Sequence, residues 1–144
     1  MVIMSVDLGK ARTGIAVCDK NELLASPLGI IEERNSEKTA EKVFEAAKAQ
    51  GAELFVVGLP KNMDGTEGER AEKAREFGEK VGRRTGLPVY FEDERLTTLE
   101  ADEILDRTGH AKADRKTVID QLAAVLILES WLSRKEKKHG KDHI

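Results

Sequence analysis

Hydrophobic and polar positions divide the chain into short blocks, and the first blocks have the length and pattern of β-strands. Apolar runs stand at residues 2–6, 14–19 and 23–31 and are separated by turn residues, which predicts three antiparallel strands in a meander. Pro27 falls inside the third run. Because proline has no amide proton to donate, we expect an edge strand or a bulge at this point.

The rest of the chain alternates helix and strand patterns. Helices are predicted at 37–50 with Ser36 as N-cap, from a capping box at Thr66 to 85, from a capping box at Thr97 to 108, and at 118–135. Residues 54–57 suit a central parallel strand covered on both faces, and 89–91 form the next strand. This order predicts an α/β fold with a mixed five-stranded sheet and helices on both faces.

Length and composition are those of one globular domain. The chain has 144 residues, of which 40% are apolar and 35% are charged with mixed sign. A single cysteine, Cys18, excludes a disulfide framework and a cysteine-cluster metal site. The longest apolar run, 122–128, is too short to cross a bilayer, and no basic leader follows Met1, so we expect no membrane partner and a cytoplasmic location.

The net charge of −3 gives no general attraction to nucleic acid, so the distribution of charge matters more. Two stretches, 107–116 and 134–143, are basic. They are either phosphate-facing patches or a solvated loop and tail. We expect one domain over residues 1–136 and a disordered basic tail over 137–144.

Acidic residues follow the predicted strands at positions where chemistry often gathers. Asp7 ends the first strand, Glu92 to Glu94 end the last, and Asp120 stands in the first turn of the last helix. Two carboxylates ~4 Å apart repel by ~4 kcal/mol at an effective dielectric of ~20, so their convergence would need a cation. Oxygen-only ligands suit Mg²⁺ or Mn²⁺. The alternatives are an exposed acidic loop and a capping role for Asp120.

Strand alternation places Glu92 and Glu94 on one face and Asp93 on the other, which favours Glu94 as a ligand but leaves Asp93 open. Basic residues in the loops after the strands could hold phosphates: Lys10, Arg12, Lys61 and Arg95. The loop at 58–66 is not a P-loop, although its backbone amides could contact an anion. A carboxylate metal site beside such cations is typical of phosphoryl chemistry.

Four segments together resemble the YqgF family, also called RuvX, of Holliday-junction-resolvase-like proteins and pre-16S rRNA nucleases. They are Val6-Asp7-Leu8-Gly9 with Gly14-Ile15-Ala16-Val17; residues 57–66; Asp93-Glu94-Arg95-Leu96-Thr97-Thr98; and Ile119-Asp120 with residues 123–128. The resemblance covers nearly the whole chain in order. It implies a ribonuclease H-like fold, a divalent-metal nuclease site and a role in maturing the 5′ end of 16S rRNA.

The resemblance also implies roles for particular residues. Asp7, Glu94 and Asp120 would be the catalytic residues and would bind Mg²⁺ or Mn²⁺. Substrate would be bound by Lys10, Arg12, Lys61, Asn62, Arg95 and Thr98. Related resolvases carry an acid at the end of the fourth strand, where this chain has Gly58-Leu59-Pro60, so resolvase activity does not follow from fold alone.

We therefore expect a metal-dependent endonuclease that acts on structured RNA, with a ribosomal precursor as substrate and a monomer or homodimer as its assembly. One alternative is a junction-resolving DNase, which would need two active sites on a symmetric dimer. Another is a non-catalytic RNA-binding assembly factor. A sugar kinase or actin-like ATPase would share the Asp7-x-Gly9 hairpin, but those proteins hold their nucleotide between two domains, and this chain has room for one.

Overall fold

A computed structural model describes residues 1–94 and 122–135. The elements are β1 (Ile3–Asp7), β2 (Arg12–Cys18), β3 (Ala25–Glu32), α1 (Ser36–Gln50), β4 (Leu54–Leu59), α2 (Glu69–Thr85) and β5 (Val89–Asp93). Residues 122–135 are helical and are called helix 122–135 below. The predicted helix at 97–108, the start of the predicted helix at 118 and the predicted tail at 137–144 lie outside the described residues.

The five strands form one mixed sheet in the order β3-β2-β1-β4-β5. β2 runs antiparallel to both β1 and β3, whereas β4 runs parallel to both β1 and β5. The predicted meander and the predicted parallel strands are thereby confirmed. Pro27 lies on the edge strand β3, and the register shift opposite Ile15 and Ala16 leaves Leu28 as a bulge between Pro27 and Gly29.

Two apolar layers cover the sheet, one on each face. All six residues of β4 are buried, because alternate side chains enter opposite layers. One layer lies under α1 and α2 and includes Met4, Val6, Val43, Phe55, Val57 and Phe77. The other lies under helix 122–135 and includes Ile3, Cys18, Val56, Ala124, Ile127 and Leu128. Within residues 1–94 and 122–135, no helix is long and apolar enough to span a membrane.

Both predicted helix caps in the described residues are wrong, the first by one position and the second by two. Asn35, not Ser36, caps α1, because its side chain accepts the Lys38 amide proton at 3.1 Å. α2 begins at Glu69 after Gly68, which provides no side-chain cap.

Thr66 makes local hydrogen bonds in place of a helix cap. Its backbone amide and its side-chain hydroxyl donate to the Asp64 carboxylate at 2.9 and 2.6 Å. These local hydrogen bonds close a turn, and they compete with the capping role that the sequence pattern suggested.

Candidate acidic site at the carboxyl edge of the sheet

Strand alternation brings Asp7, Gly58 and Glu94 onto the face that helix 122–135 covers. On β1, the Ser5 hydroxyl donates to the Ala124 carbonyl at 2.6 Å, so Asp7, two residues further on, faces the same side. Gly58 occupies the corresponding face of β4, where it lies against helix 122–135. Glu94 directly follows β5, and its amide donates to the Leu59 carbonyl of β4 at 3.3 Å.

The side chains of Asp7 and Glu94 are joined by a hydrogen bond. Their strands β1 and β5 are not neighbours, because β4 lies between them. The Glu94 side chain reaches across β4 at Gly58: a Cβ there would overlap Glu94 Oε2 and lie 2.5 Å from Ile127 Cδ1. The missing side chain of Gly58 is therefore what lets the two carboxyl groups meet.

The Asp7–Glu94 pair is stabilised when a proton or a cation binds between the two carboxyl groups. A hydrogen bond between two carboxyl groups needs a proton on one of them, because an ionised carboxylate only accepts. Burial raises the pKa of Glu94, and the negative charge of Asp93 adds to this. The hydrogen bond with Asp7 and the positive charge of Arg70 act in the opposite direction without cancelling the rise in pKa.

A hard divalent cation between the two carboxylates would offset their negative charge, as the proton of the hydrogen bond does. Carboxylate oxygens are the ligands that Mg²⁺ and Mn²⁺ prefer, so the Asp7 and Glu94 side chains fit such an ion. Within residues 1–94 and 122–135, no group of three or more His, Cys, Asp or Glu side chains is arranged to hold a metal. The described part of the site is thus a pair of carboxyl groups.

Glu92 lies on the same face but has a different partner. It is 3% exposed, and its carboxylate meets the Arg134 guanidinium at 2.8 Å. Burial raises the pKa of Glu92, and the charge of Arg134 opposes that rise. The pair attaches helix 122–135 to β5. Sequence reasoning missed it, and the only signal was an acidic residue at a strand position that faces an apolar helix.

The predicted phosphate-binding residues of the first hairpin lie at the same edge of the sheet. Lys10 is exposed in the turn after β1. Gly9 makes this turn possible, since a Cβ there would overlap the Arg12 carbonyl oxygen. Arg12 begins β2, and its guanidinium lies 3.8 Å from the Glu32 carboxylate.

The loop after β4 has an internal structure of its own. Lys61 pairs with Glu67 in an isolated antiparallel bridge. The Asn62 side-chain amide donates to Thr66 Oγ1 at 2.9 Å, so this side chain shapes the loop. Three further predicted site residues, Arg95, Thr98 and Asp120, lie outside the described residues.

The sequence matches one protein family over almost its whole length. A family model described as "RuvX: Holliday junction resolvase" matches residues 1–134. A Lachnospira eligens protein named "Putative pre-16S rRNA nuclease" is 44% identical over 140 residues, which are 95% of this chain and all of that protein. A Pediococcus pentosaceus protein of the same name is 42% identical over 144 residues, covering 98% of this chain and 96% of that protein.

Solved structures show the fold. Thermus thermophilus RuvC in complex with a Holliday junction substrate has a TM-score of 0.62 at 17% identity and covers 94% of this chain and 96% of its own. The fowlpox virus Holliday junction resolvase has a TM-score of 0.59 at 11% identity and covers 93% of this chain and 99% of its own. RuvC-like resolvases have a ribonuclease H-like fold, and the described residues adopt it, as the sequence resemblance implies.

Proposed function

The chain belongs to the RuvX family of Holliday junction resolvases, and from that premise we propose that it is a metal-dependent endonuclease whose substrate is the 5′ end of pre-16S rRNA. The names of relatives that are 44% and 42% identical over almost the whole chain support this substrate. A ribosomal precursor as substrate also implies a cytoplasmic location. The reaction is hydrolysis of a phosphodiester bond.

The meeting of Asp7 and Glu94 across Gly58 is the single observation that carries the proposal. Two acids from the ends of separate strands meet in a partly buried setting, as ligands of one hard metal ion do. Asp120 is proposed as the third ligand on the strength of the family resemblance. The ligand set is then Asp7, Glu94 and Asp120, with Mg²⁺ or Mn²⁺ as the ion.

A bound divalent cation supplies Lewis-acid polarisation of a phosphoryl oxygen and lowers the pKa of a coordinated water. The chain's own residues orient the reaction. Asp7 and Glu94 would hold the ion, and Ile127 and the Glu94 carboxyl group both lie against Gly58. Lys10 and Arg12, in the adjoining hairpin, are placed to offset the charge of neighbouring phosphates.

The test is cleavage of an RNA that spans the 5′ end of 16S rRNA within its precursor, with Mg²⁺ or Mn²⁺ present. Asp7→Asn and Asp120→Asn should each slow single-turnover cleavage by at least about 100-fold, because each removes a charged ligand. Glu45→Gln, an exposed position on α1, is the matched control and should cleave like the parent. Parent protein that cleaves no precursor RNA, or ligand variants as active as the parent, would contradict the proposal.

Cleavage of four-way DNA junctions is the second candidate, favoured by the description of the family. The end of β4 argues against it, because related resolvases carry an acid there and this chain has Gly58-Leu59-Pro60. A DNA junction assayed beside the RNA separates the two candidates. A strictly monomeric protein would also count against junction resolution, since paired cuts need two symmetric sites. Tight RNA binding without Mn²⁺ affinity would instead indicate a non-catalytic assembly factor.

A further inference from the structure

A groove opens at the carboxyl edge of the sheet, on the face that α1 and α2 cover. β1 and β3 are both antiparallel to β2, so they end at the same edge, and β4 is parallel to β1. α1 follows β3 and α2 follows β4, so both helices begin beside the turn that follows Asp7. The space between this turn and the first turns of the two helices has a volume of about 430 Å³. We call it the α1–α2 groove.

The lining of the α1–α2 groove is cationic in a chain whose net charge is −3. Its basic side chains come from all three elements: Lys10, Arg34, Arg70, Lys73 and Lys80. Its acidic side chains are Glu33, Glu69 and Glu76. The excess of cations indicates an anionic ligand, and the amino ends of both helices add partial positive charge at the same place.

Several of these cations are available to a ligand. Lys10, Arg34 and Arg70 are exposed. Lys73 pairs with Glu69 at 3.3 Å, but the two side chains are 57% and 80% exposed, and exposed pairs of this kind add little to stability. Lys80 is held more firmly, at 2.6 Å from Glu37 and 3.0 Å from the Ser36 hydroxyl. The cations most available to a ligand are therefore Lys10, Arg34, Arg70 and Lys73.

The α1–α2 groove and the acidic site lie on opposite faces of the sheet and share its carboxyl edge. Lys10 stands in the turn at this edge, three residues after Asp7, and lines the groove. Arg70, in the first turn of α2, also lines the groove, and its positive charge acts on the Glu94 carboxyl group. A strand with one phosphate at the Asp7–Glu94 pair would reach the groove by passing around this edge, past Lys10 and Arg70.

The groove is built to contact phosphates rather than bases. Phe77 is the aromatic residue among its described lining, and it is 3% exposed. Base recognition by single-strand-binding proteins uses exposed aromatic rings, whereas phosphate contacts use lysine, arginine and helix amino ends. Binding in the groove should thus be insensitive to sequence and sensitive to salt.

We propose that the α1–α2 groove binds the sugar-phosphate backbone of the substrate strand on one side of the cleaved bond. This inference rests on the proposed nuclease function for the identity of the strand. The groove would extend the footprint of the protein beyond the acidic pair, so that affinity comes from the groove and chemistry from the acids.

The test compares RNA affinities of the parent and of Arg34→Ala/Lys73→Ala, measured by fluorescence anisotropy in EDTA so that cleavage plays no part. The probes are a minimal RNA of about four nucleotides and two RNAs extended by about eight on the 5′ or the 3′ side. We divide the affinity for each extended RNA by the affinity for the minimal RNA. For one of the two extended RNAs, this ratio should be about tenfold lower in the variant than in the parent. For that RNA, the slope of log affinity against log salt concentration should be less steep by about 1.4 in the variant.

Two matched variants control the experiment. Arg34→Lys/Lys73→Arg keeps both charges and should restore the parent ratio. Lys48→Ala/Arg83→Ala removes two exposed cations from the last turns of the same helices, at the opposite edge of the sheet, and should bind like the parent.

The inference is overturned if the parent and Arg34→Ala/Lys73→Ala show the same affinity ratio for both extended RNAs. It is also overturned if the variant loses affinity for minimal and extended RNA equally, or if millimolar inorganic phosphate displaces the extended RNA, since the groove would then hold a small anion. Because binding is measured without metal, these results are independent of cleavage. A parent that binds through the groove yet cuts nothing would refute the nuclease function alone.

Discussion

The carboxyl groups of buried Glu92 and partly buried Glu94 lie two residues apart on the same face of the sheet, and their partners differ in charge. Glu92 meets the Arg134 guanidinium at 2.8 Å, whereas Glu94 meets a second carboxyl group, that of Asp7. A cation beside a buried carboxylate offsets the cost of burial, whereas a second carboxyl group can offset it only by holding a proton or by sharing a bound cation. The Glu92–Arg134 pair therefore stabilises the packing of helix 122–135, whereas the Asp7–Glu94 pair favours the binding of a cation.

The largest expected effect comes from neutralising the acid that has an acidic partner. Glu94→Gln should slow RNA cleavage by at least about 100-fold and leave the Tm unchanged or higher, because it removes a metal ligand together with the cost of burying an ionisable group. Single-turnover cleavage and thermal unfolding measure the two effects. Glu92→Gln is the comparison and should lower the Tm instead. If Glu94→Gln lowered the Tm as much as Glu92→Gln, both acids would be structural, which would contradict this comparison.

Removing the cation from the other pair should act on stability. Arg134→Ala leaves Glu92 buried without its partner and should cost about 2 kcal/mol in the free energy of unfolding, below the ~3–5 kcal/mol of a fully buried pair. The guanidinium side chain is 62% exposed, which sets the lower figure. Urea unfolding measures the loss, and Arg83→Ala, an exposed arginine of α2, should change stability by less than about 0.5 kcal/mol. Equal losses in the two variants would contradict a structural role for the Glu92–Arg134 pair.

A methyl group at position 58 should separate the acids without changing their charge. Gly58→Ala places a Cβ where Glu94 Oε2 and Ile127 Cδ1 now lie, so the Glu94 side chain must shift. We expect cleavage to fall roughly tenfold or more, because small displacements of a ligand are costly. Gly51→Ala is not a suitable control, since Gly51 has a φ of 69°. Ala49→Gly is the control: it removes one methyl group at an exposed position of α1 and should leave the rate of cleavage unchanged.

The smallest effect concerns Cys18, a buried thiol on the same face of the sheet. Burial raises the pKa of the Cys18 thiol, so the reactive thiolate is scarce at pH 8. Iodoacetamide should label Cys18 at least about ten times more slowly in the native protein than in urea, with a native rate that still rises above pH 9. Mass spectrometry follows the label. Equal rates in both conditions would show that the layer under helix 122–135 is open to solvent.

Much of the fold followed from patterns along the chain. Alternating apolar positions predicted the meander, and the uniformly apolar run at 54–57 predicted a buried central strand, because these patterns report burial directly. The caps at Ser36 and Thr66 were wrong, since Asn35 accepts the Lys38 amide proton and the Thr66 hydroxyl donates to Asp64 instead of capping α2. Local hydrogen bonds between near neighbours are decided by side-chain geometry, which a spacing pattern does not contain.

The candidate site was predicted in part. Strand alternation placed Glu92 and Glu94 on one face, and the ends of β1 and β5 indicated one edge for Asp7 and Glu94. The role of Gly58 and the pairing of Glu92 with Arg134 were not predicted, because each depends on contacts between residues far apart in sequence. The α1–α2 groove was missed for the same reason: Lys10, Arg34 and Lys73 come from three separate segments.

Anomalous diffraction from crystals soaked in Mn²⁺ tests the central claim most directly. The account predicts an anomalous peak between the carboxyl groups of Asp7 and Glu94, about 2.1 Å from an oxygen of each, and no such peak in crystals of Glu94→Gln. A Mn²⁺ peak at some other place on the protein, or an Asp7–Glu94 pair that keeps its direct hydrogen bond in saturating Mn²⁺, would contradict it.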